Sequence, residues 1–251
     1  ASNYLTTNAN KTGLLIIRSG RTEDHISIEV GDSRIEESDN QRVLGLIINN
    51  KLTWNDHVYS LLQSINQRVG ILKRVAGYVP QASLGTIANA LISSKVRYGI
   101  AIYGEVRMEI HDPLPAASKD IQLALNRAMR VVSRCRISDR IPIKDLVSRT
   151  GINTFNRVSA EEKLMLIWKS MHQTGCPIAE LHQRDLRSSS ISLRSESRGD
   201  IQLQSKTTVG QKNFPEAAIK VWNANGHTVR LQRKMTSAKK EIKTFANSLP
   251  L

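Results

Sequence analysis

The chain has 251 residues, 40% of them hydrophobic but only 4% aromatic, and 36 Lys and Arg against 22 Asp and Glu give a formal charge of +14. That length allows one large domain or two modest ones with a real core, and a mostly aliphatic core leans helical. No apolar run is long enough to cross a bilayer, two distant cysteines (Cys135 and Cys176) are too few for a disulfide framework, and a pI near 10.1 favours nucleic acid over a membrane surface as partner.

The elements follow in order. Leu14–Ile17 is a short apolar run. Ile26, Ile28 and Val30 alternate with polar residues before Gly31-Asp32-Ser33, which reads as strand and turn. Val43–Ile48 is a second apolar run, closed by Asn49-Asn50. Together these make a small β-hairpin region over residues 1–52, whose short strands expect a partner sheet. From Thr53 the period changes. Thr53 and Asp56 fit a capping box, and Val58, Leu61, Leu62, Ile65, Val69 and Leu72 follow at helical spacing until Gly77 and Pro80. A second helix is expected from Leu84 to Tyr103, ended by Gly104. A third is expected from Ser118 to Ser133, with Ile121, Ala124, Leu125, Ala128 and Val132 inward. Residues 53–137 therefore suggest a three-helix bundle. Further helices are expected near Ile143–Arg149, ended by Gly151, and from Val158 to Gln173, where Ser159 and Glu162 either cap the helix or lie within its first turn. Two more are expected from Pro215 through Trp222 and over Ala238–Phe245. The fold class expected is mainly α: a hairpin region, a helical bundle, and a basic, loop-rich helical region over 138–251, with a long loop near 184–214.

The charge is uneven. Residues 1–125 hold 13 Lys and Arg against 12 Asp and Glu, while 126–251 hold 23 against 10. A polyanion-facing surface is thus expected mainly in the second half, with a few basic positions on the helices before it. Arg127, Arg130 and Arg134 are spaced i, i+3, i+7, which places them on one face of a continuous helix. Arg68 lies near the inward stripe of the first long helix, and Lys73 and Arg74 near its end, where cations also suit the helix dipole. A duplex crossing such a surface would meet a column of cations, each phosphate neutralised adding salt-dependent affinity. The plainer alternative is a solvated helix face. Arg184–Lys212, basic and Ser-rich, fits either an arm touching RNA or a solvated linker.

Catalytic and metal signals are sparse. The acidic pairs Glu23-Asp24, Glu36-Glu37 and Glu161-Glu162 read as solvated surface charge, and no Asp-Asp dipeptide is present. His172, Cys176 and His182 lack a convincing fourth ligand, so no metal site is expected in the chain. Trp54, Trp168 and Trp222 sit in or beside apolar helical patterns and read as core rather than base-stacking residues.

Several segments, in this order, carry a resemblance. Asn8-Ala9-Asn10-Lys11-Thr12 before the Leu14–Ile17 run is similar to the motif D element of reverse transcriptases. Arg42–Ile48 is similar to the primer-grip element, and Lys51-Leu52-Thr53-Trp54-Asn55-Asp56-His57 to the opening of a LINE-type thumb. Ile65–Arg74, Tyr98-Gly99-Ile100, Leu125–Arg130 and Ala217–Asn223 continue the pattern. The chain so resembles the C-terminal part (end of palm, thumb and downstream connection) of a LINE-type non-LTR retrotransposon reverse transcriptase.

That resemblance implies an RNA-directed DNA polymerase whose thumb grips an RNA–DNA primer–template. The implied partners are RNA, DNA and the upstream palm and fingers of the same polypeptide, with no membrane. The location is intracellular, nuclear for the parent element. The two divalent metal ions, magnesium by expectation, and their aspartates would lie upstream of Ala1, so this chain alone is not expected to polymerise. A start at Ala1 without Met fits a fragment or processed product. Lys11 matches the motif D lysine, an auxiliary acid or countercharge at the leaving pyrophosphate in the intact polymerase. Leu44 and Gly45 match the primer grip, where glycine lets backbone approach a ligand chain. The pattern departs at Val43, where tyrosine is usual, and at Asn49, where aspartate is usual. Two alternatives stay open: a degenerate or host-derived RNA- or DNA-binding module without enzymatic activity, and a helical interaction protein.

Overall fold

The computed structural model describes residues 8, 11–18, 25–109, 111–112, 116–173, 200–201 and 214–250. It is mainly helical, with two small antiparallel hairpins preceding the helices. The described chain divides into two compact units after Gln63, within the first long helix, where the sequence suggested breaks after 52 and 137.

In the first unit β1 (Ser27–Val30) pairs with β2 (Ser33–Glu36), and β3 (Asn40–Val43) with β4 (Leu46–Asn49), each pair a sheet of its own. Both turns have two residues and use positive φ, at Gly31 (61°) in one and at Leu44 (48°) and Gly45 (86°) in the other. Such turns match the twist of paired strands. The apolar stretch Val43–Ile48 is therefore not one strand: it folds back on itself, with Val43 opposite Leu46. Alternation missed β2 because Ser33-Arg34-Ile35-Glu36 has a single apolar residue, Ile35, and that residue is buried. Leu14 makes an isolated parallel bridge to Glu37, and its carbonyl accepts from Ser38 N (2.9 Å) and Oγ (3.1 Å).

The strand-to-helix junction is tied by one amide. Asn49, almost buried, donates from Nδ2 to Thr53 Oγ1 (2.8 Å) and Asp56 Oδ2 (2.9 Å), and its Oδ1 accepts from Thr53 N (2.8 Å). Thr53 and Asp56 thus meet through Asn49. Helix α1 (Asn55–Val75) starts with Val58 N donating to Trp54 O, 2.8 Å.

The second unit is organised on helix α7 (Phe155–His172), which begins three residues before the expected start. It is buried nearly all round, and α4 (Ile100–Tyr103), α5 (Ala116–Val132), α8 (Phe214–Arg230) and α9 (Met235–Ser248) all pack on it. Ala160, Leu164, Ile167 and Trp168 share one core with Ile201, Ala218, Ile219, Trp222, Val229, Ala238 and Ile242. Trp168 and Trp222 are core, as their patterns imply, and Trp54 is half-buried against the His57 ring. Asn223 clamps Ile201 by accepting from its N–H (2.9 Å) and donating to its carbonyl (2.8 Å).

Buried Asn156, Glu161 and Lys163 of α7 are partnered, as burial requires, whereas the buried Ser159 hydroxyl has no hydrogen-bond partner among the described residues. Asn156 accepts from Arg107 N (2.7 Å) and donates to the carbonyls of Arg107 and Pro250 (3.0 Å each). Lys163, fully buried, donates to Ala101 O. Glu161 is no solvated surface charge. It is buried, 3.2 Å from Arg97 Nη2 and 3.2 Å from Asn153 Nδ2, while Arg97 also pairs with Glu162. Ser159 and Glu162 lie in the second turn, so they do not cap; Thr154 takes the cap position, and Gln122 Oε1 accepts the Phe155 N–H at 2.8 Å.

The expected Leu84–Tyr103 helix is interrupted. It runs as α2 (Gln81–Ala88), a π stretch over Asn89–Ser93 and α3 (Ser94–Arg97), then breaks at Tyr98-Gly99, with Gly99 at φ 69°, before α4. At the α4–α7 crossing a side chain on Gly104 would lie 2.5 Å from Ile100 O and 2.6 Å from Ser159 Oγ. Helix α6 (Ile143–Thr150) ends in left-handed Gly151 and packs on α5. The expected loop of 184–214 lies almost wholly outside the described residues.

Candidate nucleic-acid interface

No acidic residue separates Asp56 from Glu105, a stretch holding Arg68, Lys73, Arg74, Lys95 and Arg97. A second such stretch lies between Asp120 and Asp139, with Arg127, Arg130, Arg134 and Arg136. The fold of the second unit brings parts of both together. The later half of α1 lies beside α5: Arg127 Nη1 reaches Asn66 Oδ1 (3.4 Å), and Arg134 Nη2 reaches the carbonyls of Ala76 (3.0 Å) and Val79 (2.8 Å). The contacts advance in the same sense along both segments, from Asn66 with Arg127 to Ala76 and Val79 with Arg134, and so define one seam. Ile65 and Leu72 on α1, and Ile121, Leu125, Ala128, Met129 and Val132 on α5, are buried.

The six cations picked out from sequence play different parts. Lys73, Arg74 and Arg127 are exposed, and Arg130 is half-buried; besides the Arg127–Asn66 contact, Arg74 Nε reaches Gly70 O and Arg130 Nη1 reaches Asn126 O, 3.5 Å each. Arg68 is half-buried and donates to Leu91 O (3.1 Å) in the π stretch, where the i−4 ladder is broken, and to Ser64 Oγ (3.3 Å).

Arg134 does not continue the Arg127–Arg130 face. Helix α5 ends at Val132, and Arg134 sits beyond it in the left-handed region at φ 52°. Its N–H donates to Val131 O (3.2 Å) while Cys135 N donates to Arg130 O (3.1 Å). These two bonds form a Schellman cap with arginine where glycine is usual. The left-handed backbone costs about 1–2 kcal/mol, offset by the bonds from its guanidinium to two carbonyls at the end of α1.

The remaining candidates lie in the first unit. Lys11 is exposed in a tight turn in which Asn8 O accepts from Lys11 N and Thr12 Oγ1, both at 3.0 Å. Of these two bonds only the one from the Thr12 hydroxyl depends on a side chain. Leu44 and Gly45 form the tip of the second hairpin, with Leu44 87% exposed.

Acidic groups give no described metal site. Glu37 is held by Arg18, with Nη2–Oε2 at 2.7 Å, and this hydrogen bond keeps its carboxyl below the ordinary range; Glu36 pairs with Arg34 at 2.8 Å. Glu23, Asp24, Cys176 and His182 lie outside the described residues. The His172 ring stacks on Trp168 at 4.6 Å. Among the described residues no three His, Cys, Asp or Glu side chains converge.

No protein-family model, no curated protein and no solved structure matches the chain.

Proposed function

We propose that this chain is the nucleic-acid-binding thumb and C-terminal part of an RNA-directed DNA polymerase of the non-LTR retrotransposon type, gripping a primer–template. The observation that carries the reading is the α1–α5 seam, where exposed Lys73, Arg74 and Arg127 and half-buried Arg130 come from two stretches of chain without a single carboxylate. Such a surface offers phosphates countercharge with no acidic neighbour in sequence to compete. The order of hairpins and helices, and the turn built on Asn8, Lys11 and Thr12, agree with the family resemblance. In that reading Lys11 assists at the leaving pyrophosphate and the Leu44-Gly45 tip approaches the primer, both only in the intact polymerase, whose metal ions are supplied upstream.

The test is binding of a mixed RNA–DNA duplex across a salt series. Changing Arg127 and Arg130 together to Ala should weaken binding and flatten the dependence of log K on log salt by roughly one to two, near one per lost phosphate contact. An unchanged slope rejects the seam. The purified chain alone should incorporate no nucleotide on a primed template, and template-dependent incorporation would refute the assignment of the catalytic aspartates to an upstream segment. A non-enzymatic RNA- or DNA-binding module has the same seam; an upstream reading frame carrying an Asp-Asp hairpin separates the two.

A further inference from the structure

The turn between α1 and α2 carries a side chain with no evident structural duty. Tyr78 is 90% exposed, the most exposed large hydrophobic side chain described. Exposing an aromatic ring forgoes its burial free energy, yet the backbone beneath this one is tightly fixed. Tyr78 N donates to Val75 O (3.0 Å), and Arg134 grips the carbonyls on both sides of it, Ala76 and Val79. Pro80 follows and leads into α2. The ring is thus presented on a preorganised turn, not on a loose loop.

Its surroundings are cationic. Lys73 and Arg74 are exposed one turn earlier on α1, and Arg134 reaches over from the cap that follows α5. Along the sequence beyond Arg134, Ile137 is 76% exposed, with exposed Arg136 before it and exposed Arg140 after it. The single nearby acid in that stretch, Asp139, is engaged locally, accepting from Arg136 N at 2.7 Å and from Ser138 Oγ at 3.3 Å. An exposed aromatic face beside guanidinium and ammonium groups suits a flipped or single-stranded base, the ring stacking on the base and the cations meeting its phosphates. A paired base inside a duplex offers no free face for this.

We propose that Tyr78, held by Arg134, is a base-stacking platform for single-stranded nucleic acid leaving the duplex on the α1–α5 seam. The proposal rests on the nucleic-acid-binding reading above.

The test uses the full chain, a single-stranded oligouridylate and a blunt RNA–DNA duplex. Tyr78→Ala, which removes an exposed ring and should leave the melting temperature unchanged, is expected to weaken single-strand binding by about fivefold to a hundredfold. Duplex affinity and both salt slopes should hold, because no phosphate contact is lost. Tyr78→Trp should bind the single strand at least as well as the parent. Equal single-strand affinity of Tyr78→Ala and parent, or a loss in Tyr78→Trp as large as in Tyr78→Ala, overturns the stacking role while the duplex reading stands. Failure of the parent to bind either probe overturns both.

Discussion

Lys163 offers a direct measure of how tightly the second unit is packed. Its side chain is fully buried between α7 and α4, its ammonium donating to Ala101 O. Burial pushes its pKa down from 10.5 to about 7, against the opposing pull of Glu105. Below pH 7 the folded and unfolded chains both hold the proton, and the folded state bears the full cost of a buried cation. Between pH 7 and pH 10 the unfolded chain holds a proton that the folded chain has shed, so stability rises with pH by about 1.4 kcal/mol per pH unit, roughly 4 kcal/mol over the window. Above pH 10 the trend reverses. The Tyr103 phenol, buried and donating to Val96 O, has its pKa raised by desolvation, so only the unfolded tyrosine ionises there. Urea unfolding at pH 7, 8 and 9, followed by the buried Trp168 and Trp222, should show the rise in the parent. Lys163→Met should lose it, and at the upper end of the window, where the parent amine is neutral, should lie about 1–3 kcal/mol below the parent for the lost bond to the Ala101 carbonyl. Parallel pH profiles for parent and variant would refute the buried-amine argument.

Other perturbations test the joints. Gly104→Ala should destabilise the second unit by about 1–3 kcal/mol, because the new methyl meets Ile100 O and Ser159 Oγ well inside contact distance; a thermal melt equal to the parent's would contradict this close crossing. Arg134→Ala and Arg134→Gly both remove the bonds to Ala76 and Val79, but glycine also relieves the left-handed backbone, so the Gly variant should be the more stable by about 1 kcal/mol in denaturant titration. Asn49→Asp replaces the donor to Asp56 Oδ2 with a second carboxylate. It should destabilise the first unit at neutral pH and recover in acid, where one carboxyl carries a proton to donate; equal stability across pH would show that the amide is dispensable.

Long helices were legible in the sequence because one apolar stripe repeats: α1 and α5 follow their expected cores closely, with Ile65, Val69, Leu72, Ile121, Leu125 and Val132 all buried. Local pattern failed where a distant partner decides. Glu161 and Glu162 look like a solvated pair until Arg97, more than sixty positions away in sequence, is folded against them. Arg134 extends an i, i+3, i+7 face only if the helix continues, and an arginine at a position usually given to glycine carries no stop signal. The π stretch at Asn89–Ser93 has no proline or glycine to announce it, and the Arg68 bond to Leu91 O cannot be read from either segment alone.

The cations of the second unit are therefore of two kinds, and this decides which variants can test binding. Arg68 and Arg134 contribute charge to the surface while their guanidinium groups hold backbone carbonyls. Truncating either loosens the π stretch or the α1–α2 turn along with the field, so a loss of affinity there mixes folding with phosphate contact. Lys73, Arg74 and Arg127 are exposed, and the contacts of Arg74 with Gly70 O and of Arg127 with Asn66 Oδ1 are long. Substitutions at these three should leave the melting temperature within a degree or so, surface changes of this kind falling within about 0.5 kcal/mol, and should still lower the salt slope. A slope that falls only in the Arg68 or Arg134 variants would mean that the measured effect is conformational, and the α1–α5 seam would have no claim to the phosphates.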